Sequence, residues 1–577
     1  MTMDQSQTHT TAHHLLQGFN DLGLDYLFCN LGTDHAPLIE EMARWRQRGQ
    51  AFPKTVLCPH ENTAVHMAAG YALATGRGQG VLVHVDAGTA NATMGIHNIS
   101  KARLPLMLMA GRAPYTSHGE LPGTRDTFVN FVQEPYDQGG LVRQYVKWDY
   151  NLPSGVIAKE ALRRAHSVMQ SDPKGPVYLT FARETLTQNW RDDQLHDFSA
   201  QAYGATPALG TDPDAVDQVV DRLLAASHPL IITSYSGRNP ATVATLDALA
   251  RLAGIRVIEC NAVDLNIPHD SPCFSGFVPG AHVAQADVGL MVDVDVPWIP
   301  RDTPVNPATW WAHIDVDIDK RSYPMWSFPR HLKMPGDSGR ILAQILARMQ
   351  QRVNPAFSQA AQARVAGMAQ EGQQRRQRAT DLAADPGKVG QINPHFLCAA
   401  VAHAIPTDAI VLNEAIRNAP VVAMQVPRTV PGSHVGLAGG GLGFSAGMAL
   451  GIKLAQPNRC VVAFSGDGSF YFGNPQSSMA VSKQYGLPVF TIVLDNGGWA
   501  AVKEATLRVF PEGVAKATQA YEAHLAPDMN FAMVAQAAGA HGEWVSDPAD
   551  VPAAIERCLA ALARGQSALL QAKVIRL

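Results

Sequence analysis

The stretch VVAFSGDGSFYFGNPQSSMAVSKQYGLPVFTIVLDNGGW, Val461 to Trp499, leaves the chain few folds to choose from. An apolar run ends in Gly466-Asp467-Gly468, a helix-compatible segment follows, and a second apolar run ends in Asp495-Asn496-Gly497-Gly498. Two buried-strand patterns separated by a helix read as a βαβ unit. In such a unit the strand ends converge on one edge of a parallel sheet, where ligands bind. Both ends here carry oxygen donors flanked by glycine: the Asp467 carboxylate, the Asn496 amide oxygen and a backbone carbonyl near Gly498. Hard oxygen donors, few of them charged, suit a Mg²⁺ ion that also holds phosphates. The glycines let the backbone approach a phosphate closely. The plainer reading is a turn after a buried strand, with Asp467 capping the helix.

At 577 residues the chain is too long for one core, and three or four domains are expected. A formal net charge of -4 argues against a nucleic-acid or membrane-surface role. The seven cysteines are scattered, with no CxxC pair, which suits reduced intracellular thiols and argues against zinc. The 21 histidines form no His-rich tract and no metal-ligand spacing. The N-terminal MTMDQSQTHTTAHH is polar, and no apolar run reaches membrane-spanning length. A cytoplasmic protein is the expectation.

Strand-like and helix-like segments alternate along most of the chain. Asp25–Cys29, Lys54–Cys58, Gly80–His84, Leu104–Ala110 and Pro176–Phe181 read as strands of a first block, and Leu230–Thr233, Arg256–Glu259, Val288–Val292 and Trp311–Ile318 as strands of a second. A Gln-, Arg- and Ala-rich segment follows, and a third block contains the opening stretch. The fold class expected is α/β, with three doubly wound parallel-sheet domains at residues 1–190, 205–350 and 391–577 and a linker at 351–390.

Other strand ends carry chemistry. Glu61 stands in His60-Glu61 at a strand-to-helix junction, where the helix dipole alone would favour a carboxylate. His84 ends a strand in VHVDAGTANATMG, a place as suited to a structural histidine as to a proton-transfer group. Thr33 and His35 lie in the polar-glycine tip NLGTDHAP. The Gly-rich run Gly436–Gly451 is a weak dinucleotide fingerprint, because PGSHV rather than a clear buried strand precedes it.

The GDG-to-Asn spacing, with Glu61 ahead of an Ala-rich helix, resembles the thiamine-diphosphate-dependent superfamily of decarboxylases and acetolactate synthases. The resemblance implies a pyrimidine-binding domain, a middle domain and a diphosphate-binding domain. It implies Mg²⁺ ligands at Asp467, Asn496 and the Gly498 carbonyl, with Gly466, Gly468 and Ser469 beside the diphosphate. Where the family has a double Asn, the first is Asp495 here, an extra acid without an assigned purpose. The resemblance also implies that Glu61 hydrogen-bonds the cofactor's aminopyrimidine and activates its ring. Gly440 falls at a backbone contact, and Leu442 at the apolar wedge that bends the cofactor or at a plain core position.

The benzoylformate decarboxylase branch is the nearer likeness. RQYVKWDY, KGPVYLT, HDSPCFSGFVPG, VLNEA and AGGGLGF carry it over nearly the whole chain. It implies proton exchange at His84, and substrate contact by Thr33 or His35. Two departures stand out. The segment that supplies a second histidine in that branch is DVPWIPRDTP here, with Pro300 at the position and Trp298 close by, and His118–Phe128 lacks the acetolactate synthase Phe-Gln-Glu pattern. Decarboxylation of a 2-oxo acid is the first expectation. Carboligation, or cleavage of a diketone, is the second. A non-catalytic cofactor-binding relative and a nicotinamide-dependent dehydrogenase are the remaining alternatives. In this superfamily Glu61 and the GDG turn meet across a subunit interface, so a homodimer or homotetramer is implied.

Overall fold

A computed structural model describes residues 8–575. The first seven residues of the polar N-terminal stretch and the last two of the third expected domain lie outside it. By compactness the chain divides into two units. One runs through Pro207 and includes Ala438–Pro457 and Tyr471–Pro488. The other comprises Ala208–Leu437, Asn458–Phe470 and Val489 onward.

The first unit is built on a six-stranded sheet. Its spatial order is Lys54–Leu57, Tyr26–Asn30, Gln79–Val83, Leu106–Arg112, Pro176–Ala182, Asp149–Leu152, and every pair is parallel. Numbered along the chain, the order is 2-1-3-4-6-5. The central strands are continuous apolar runs because both faces are covered. Leu15, Leu16 and Phe19 of the Thr11–Asp21 helix pack with Leu27, Leu82, Met107 and Leu179 of the sheet. That helix starts where the Thr10 side chain accepts the His13 N–H.

Small residues shape the Glu61–Thr75 helix. A Cβ at Gly70 would lie 2.1 Å from the Met448 carbonyl oxygen, and one at Gly451 would lie 2.0 Å from that of Met67. The runs AAGYA and GFSAGMALG are therefore glycine-bearing because two helices, Glu61–Thr75 and Phe444–Ala455, press backbone to backbone.

The second unit holds two sheets. One has five parallel strands in the order Arg256–Glu259, Pro229–Thr233, Val288–Val292, Trp310–Asp315, Leu332–Pro335. The other has six parallel strands in the order His434–Gly436, Ile410–Glu414, Val461–Gly466, Phe490–Asp495, Ala568–Lys573, His541–Val545. Its order along the chain is again 2-1-3-4-6-5. The opening stretch supplies its third and fourth strands, in register from Val462↔Phe490 to Gly466↔Leu494.

Three strands fall where the sequence carries no apolar run. Asp149–Leu152, Leu332–Pro335 and His434–Gly436 are all edge strands, three or four residues of pairing with one neighbour. An edge needs no continuous apolar pattern. His434–Gly436 corrects the reading of the Gly-rich run, since a short buried strand does precede it. The Gln- and Ala-rich segment forms a 29-residue helix, Pro355–Ala383, whose Phe357, Ala361 and Met368 join the apolar core beneath the five-stranded sheet. Among the described residues no helix is long and apolar enough to cross a membrane.

Candidate active site

In the first unit, strands 1 and 3 are neighbours whose connections leave in opposite directions, so their carboxyl ends open a crevice. Asn30 ends strand 1, and His84 follows strand 3. Glu61 is the first residue of the helix after strand 2, and it is buried. Its Oε1 accepts from Asn30 Nδ2 at 2.9 Å and its Oε2 from Asn91 Nδ2 at 3.0 Å. Each oxygen retains a free lone pair for a further donor. Gly88 leaves the room: a Cβ there would lie 3.3 Å from Glu61 Oε1. The His60 side chain caps the helix by accepting the Asn62 N–H, so Glu61 is not needed as the cap.

His84 stands between two partners. Its Nδ1 lies 2.6 Å from Asp34 Oδ1, and its Nε2 lies 2.8 Å from Gln133 Oε1. The His84 proton affinity is raised above the ordinary histidine range, chiefly by the hydrogen bond to Asp34, against the opposing effect of burial. Asp34 is 3% exposed. Burial pushes its carboxyl up, but hydrogen bonds to His35 and His84 outweigh that and hold it well below the usual range. The Val85 N–H also donates to Asp34 Oδ2, at 3.2 Å. Val85 itself sits at φ 35, an unusual backbone for a β-branched residue.

Thr33 and His35 flank Asp34 in a 3₁₀ turn and have different surroundings. Thr33 is exposed at the start of the turn. His35 is fully buried, its Nδ1 lying 3.1 Å from the Gly32 nitrogen and 3.2 Å from Asp34 Oδ1, so that its tautomer decides which of the two it pairs with, its ring edge-on to Phe181 and its Nε2 without a partner. Asn30, Asp34, Asn91 and Gln133 are the neighbours that sequence reasoning missed. Asn30 and Asp34 sit in the tip already singled out, whereas nothing local marks Gln133.

In the second unit, Asp467 follows strand 3 and Asn496 follows strand 4. Asp467 Oδ1 accepts the Gly468 N–H and Oδ2 the Gly498 N–H, both at 2.8 Å. Asn496 Oδ1 faces the Gly498 N–H at 3.2 Å. Thus Asp467, Asn496 and Gly498 converge on one turn. Burial pushes the Asp467 carboxyl up to about 6. Gly468 lies against the Trp499 ring, 2.3 Å from a built Cβ, so no side chain fits there. Gly498 takes φ 153 with the Ala523 carbonyl oxygen 2.1 Å from a built Cβ. Gly466 has more room, with its nearest neighbour 3.7 Å from a built Cβ.

Asp495 is tied into the scaffold beside this turn, and its charge adds to the burial that raises Asp467. Its Oδ2 accepts from Gln571 Nε2 at 2.9 Å and Lys573 Nζ at 3.2 Å, and its Oδ1 from the Gly497 N–H at 3.1 Å. The extra acid is a buried strut between neighbouring strands.

The donor set suits a magnesium diphosphate. The Ser469 hydroxyl is buried without a hydrogen-bond partner, and a phosphate oxygen would accept from it. A divalent cation beside Asp467 would favour the ionised carboxylate that burial disfavours. Among the described residues no group of three or more His, Cys, Asp or Glu side chains is arranged to hold a metal ion. The Asp–Asn–carbonyl set contains only one such residue. In the first unit Gly440 adopts φ 80 with open space around it, and Leu442 is half-buried. Asn98 clamps the peptide between them, accepting the Gly441 N–H at 3.0 Å and donating to its carbonyl at 2.9 Å.

Comparison with known proteins gives consistent results. The N-terminal TPP binding domain of thiamine pyrophosphate enzymes matches residues 9–141, and their C-terminal TPP binding domain matches residues 418–572. A benzoylformate decarboxylase of Pseudomonas aeruginosa is 25% identical over 565 residues, covering 96% of both chains. An acetolactate synthase large subunit of Haemophilus influenzae is 23% identical, covering 94% of this chain and 91% of its own. Among solved structures, the 4-hydroxybenzoylformate decarboxylase of Rhodococcus jostii shares the fold at a TM-score of 0.77 and 21% identity, covering 98% of this chain and 99% of its own.

Proposed function

The chain belongs to the thiamine-diphosphate-dependent enzymes, and we propose that it decarboxylates a 2-oxo acid with Mg²⁺ as the second cofactor. The observation that carries this reading is His84, held by Asp34 on one nitrogen and Gln133 on the other, at the sheet edge where Glu61 is held by Asn30 and Asn91. Bound thiamine diphosphate supplies a nucleophilic carbon and an electron sink for the bond next to the carbonyl. Asp467, Asn496 and the Gly498 carbonyl are our Mg²⁺ ligands. Gly466, Gly468, Ser469, Gly440 and Leu442 are our cofactor contacts. Glu61 hydrogen-bonds the cofactor ring, His84 gives and takes a proton at Nε2, and Thr33 or His35 orients the substrate.

Carboligation is the second reading, and one observation favours it. The middle segment that would add a second histidine has none. Its Trp298 is a core residue packed on Trp311 and Phe328, and Pro300 is exposed. We further propose that pyrimidine-binding, middle and diphosphate-binding domains span 1–190, 205–350 and 391–577, with the linker at 351–390. A homodimer or homotetramer would share its sites between subunits. That the seven cysteines form no disulfide among the described residues fits the reducing cytoplasm.

Product analysis tests the reading. With thiamine diphosphate and Mg²⁺, incubation with pyruvate, benzoylformate and a 1,2-diketone should yield an aldehyde and CO₂ from a 2-oxo acid. Acetolactate or acyloin as the main product would move the assignment to carboligation. No turnover of the panel would count against both.

A further inference from the structure

We propose that Asp34 is a positioning residue that commits His84 Nδ1 to one hydrogen bond, so that only Nε2 exchanges protons, with Gln133 serving Nε2 in both of its protonation states. This rests on the decarboxylase reading only for the identity of the reaction.

The geometry is specific. A carboxylate only accepts, so at 2.6 Å the His84 Nδ1 carries the proton it donates to Asp34. Nε2 is left as the group that changes state. Its partner is a side-chain amide, which accepts through oxygen or donates through nitrogen after rotation. An imidazolium donates to Gln133 Oε1, whereas a neutral ring accepts from the Gln133 amide N–H. His84 can therefore gain or lose its Nε2 proton without either form losing a partner, as a group that alternates between acid and base requires.

The chain makes room for this pair. A Cβ at Gly32 would lie 2.0 Å from His84 Nδ1 and 2.6 Å from Asp34 Oδ1, and a Cβ at Gly111 would lie 1.8 Å from Asp34 Oδ2. Two glycines on different elements thus bracket one buried carboxylate. Neither needs the left-handed backbone that glycine usually supplies, so the space itself is what they provide. The Val85 N–H fixes the second oxygen, and Val85 holds its strained φ in the residue directly after His84. A capping role for Asp34 explains the Val85 contact alone. It does not explain the imidazole on the other oxygen or the two missing side chains.

The groups facing His84 are few. Asp34 and His35 come from the 3₁₀ turn, Gln133 from the segment after Val129–Val132, and Asp86 from the helix that His84 precedes. Asp34 is the dominant one, and burial opposes it.

The test is a histidine titration by NMR on the full-length holoenzyme labelled in its histidines, with the His84 signal assigned by its loss in His84→Ala. Asp34→Asn keeps the shape and removes the charge. The His84 midpoint should fall by about one pH unit, and the turnover number on the best 2-oxo acid should fall by about tenfold to a hundredfold with KM little changed. Gln133→Leu, at a half-buried position, strips Nε2 of its partner in both states, and the midpoint should also fall because the charged donor loses the stronger hydrogen bond. An unchanged midpoint in Asp34→Asn overturns the proposal. Should that variant not fold, an unchanged midpoint in Gln133→Leu overturns it instead. If no 2-oxo acid is turned over but the midpoint falls, the proposal about Asp34 stands and the decarboxylase reading fails.

Discussion

The two six-stranded sheets share the order 2-1-3-4-6-5 and place different chemistry at equivalent points along it. After strand 3 the first sheet has His84 and the second has Asp467. After strand 2 the first has a helix beginning with Glu61, and the second has a glycine-rich run leading to the Phe444–Ala455 helix. The first set consists of carboxylates, imidazoles and side-chain amides, which hold and move protons. The second consists of glycines, one buried carboxylate, one amide and one unpartnered hydroxyl, which suit a cation and phosphates. Topology determines where a site can lie, and the residues at the strand ends determine what it does.

Substitutions at the strand ends of each sheet probe this division. Glu61→Gln should lower turnover by about a thousandfold while leaving cofactor binding measurable, because the amide fills the same space without the carboxyl's proton chemistry. Normal turnover would remove Glu61 from the first set. In the second sheet, Asp467→Ala should weaken Mg²⁺-dependent cofactor retention by about tenfold to a hundredfold, as read by calorimetry. Retention equal to wild type would remove Asp467 from the second set. For His84→Ala, a rate loss of about a hundredfold is expected in stopped-flow or steady-state assays. A changed product ratio at an unchanged rate would make His84 a substrate-positioning group instead.

Smaller effects separate scaffold from chemistry. Lys573→Met leaves the buried Asp495 carboxylate short of a donor and should cost about 1–3 kcal/mol in thermal or chemical unfolding. It should leave the His84 titration untouched, and a shifted His84 midpoint would break the separation between the two sets. The pH dependence has a defined sign. Asp467 titrates near 6 in the folded chain, above its ordinary value, so the folded state holds that proton longer than the unfolded chain does. Without metal, its contribution to stability falls as pH rises from about 4 to 6. Mg²⁺ requires the ionised form, so the stabilisation it confers should grow between pH 5 and 7. A metal effect independent of pH would contradict the assignment of Asp467.

Much of this was legible in the sequence where burial writes a pattern. Arg256–Glu259 and Val288–Val292 match their apolar runs to the residue. The opening stretch gives its two strands and both polar ends, and the junction at His60-Glu61 is a strand-to-helix turn. Three of the edge strands, Asp149–Leu152, Leu332–Pro335 and His434–Gly436, were not legible, because pairing on one side demands no apolar continuity. Nor was the shared strand order of the two sheets, which lives in which strands pair rather than in any repeated residue. Asp495 had no purpose legible in the sequence, because its partners Gln571 and Lys573 lie on the neighbouring strand some 76 and 78 residues on. Gln133 was invisible because it meets His84 from 49 residues away, on a segment with no motif.

The division of labour between the two sheets has one direct test: calorimetric titration of thiamine diphosphate into the apo protein, with Mg²⁺ or with chelator, for the wild type, Glu61→Gln and Asp467→Ala. Binding should require Mg²⁺ in the wild type, persist in Glu61→Gln and be lost or strongly weakened in Asp467→Ala. Equal affinity in chelator, or loss of binding in Glu61→Gln with retention in Asp467→Ala, would contradict it.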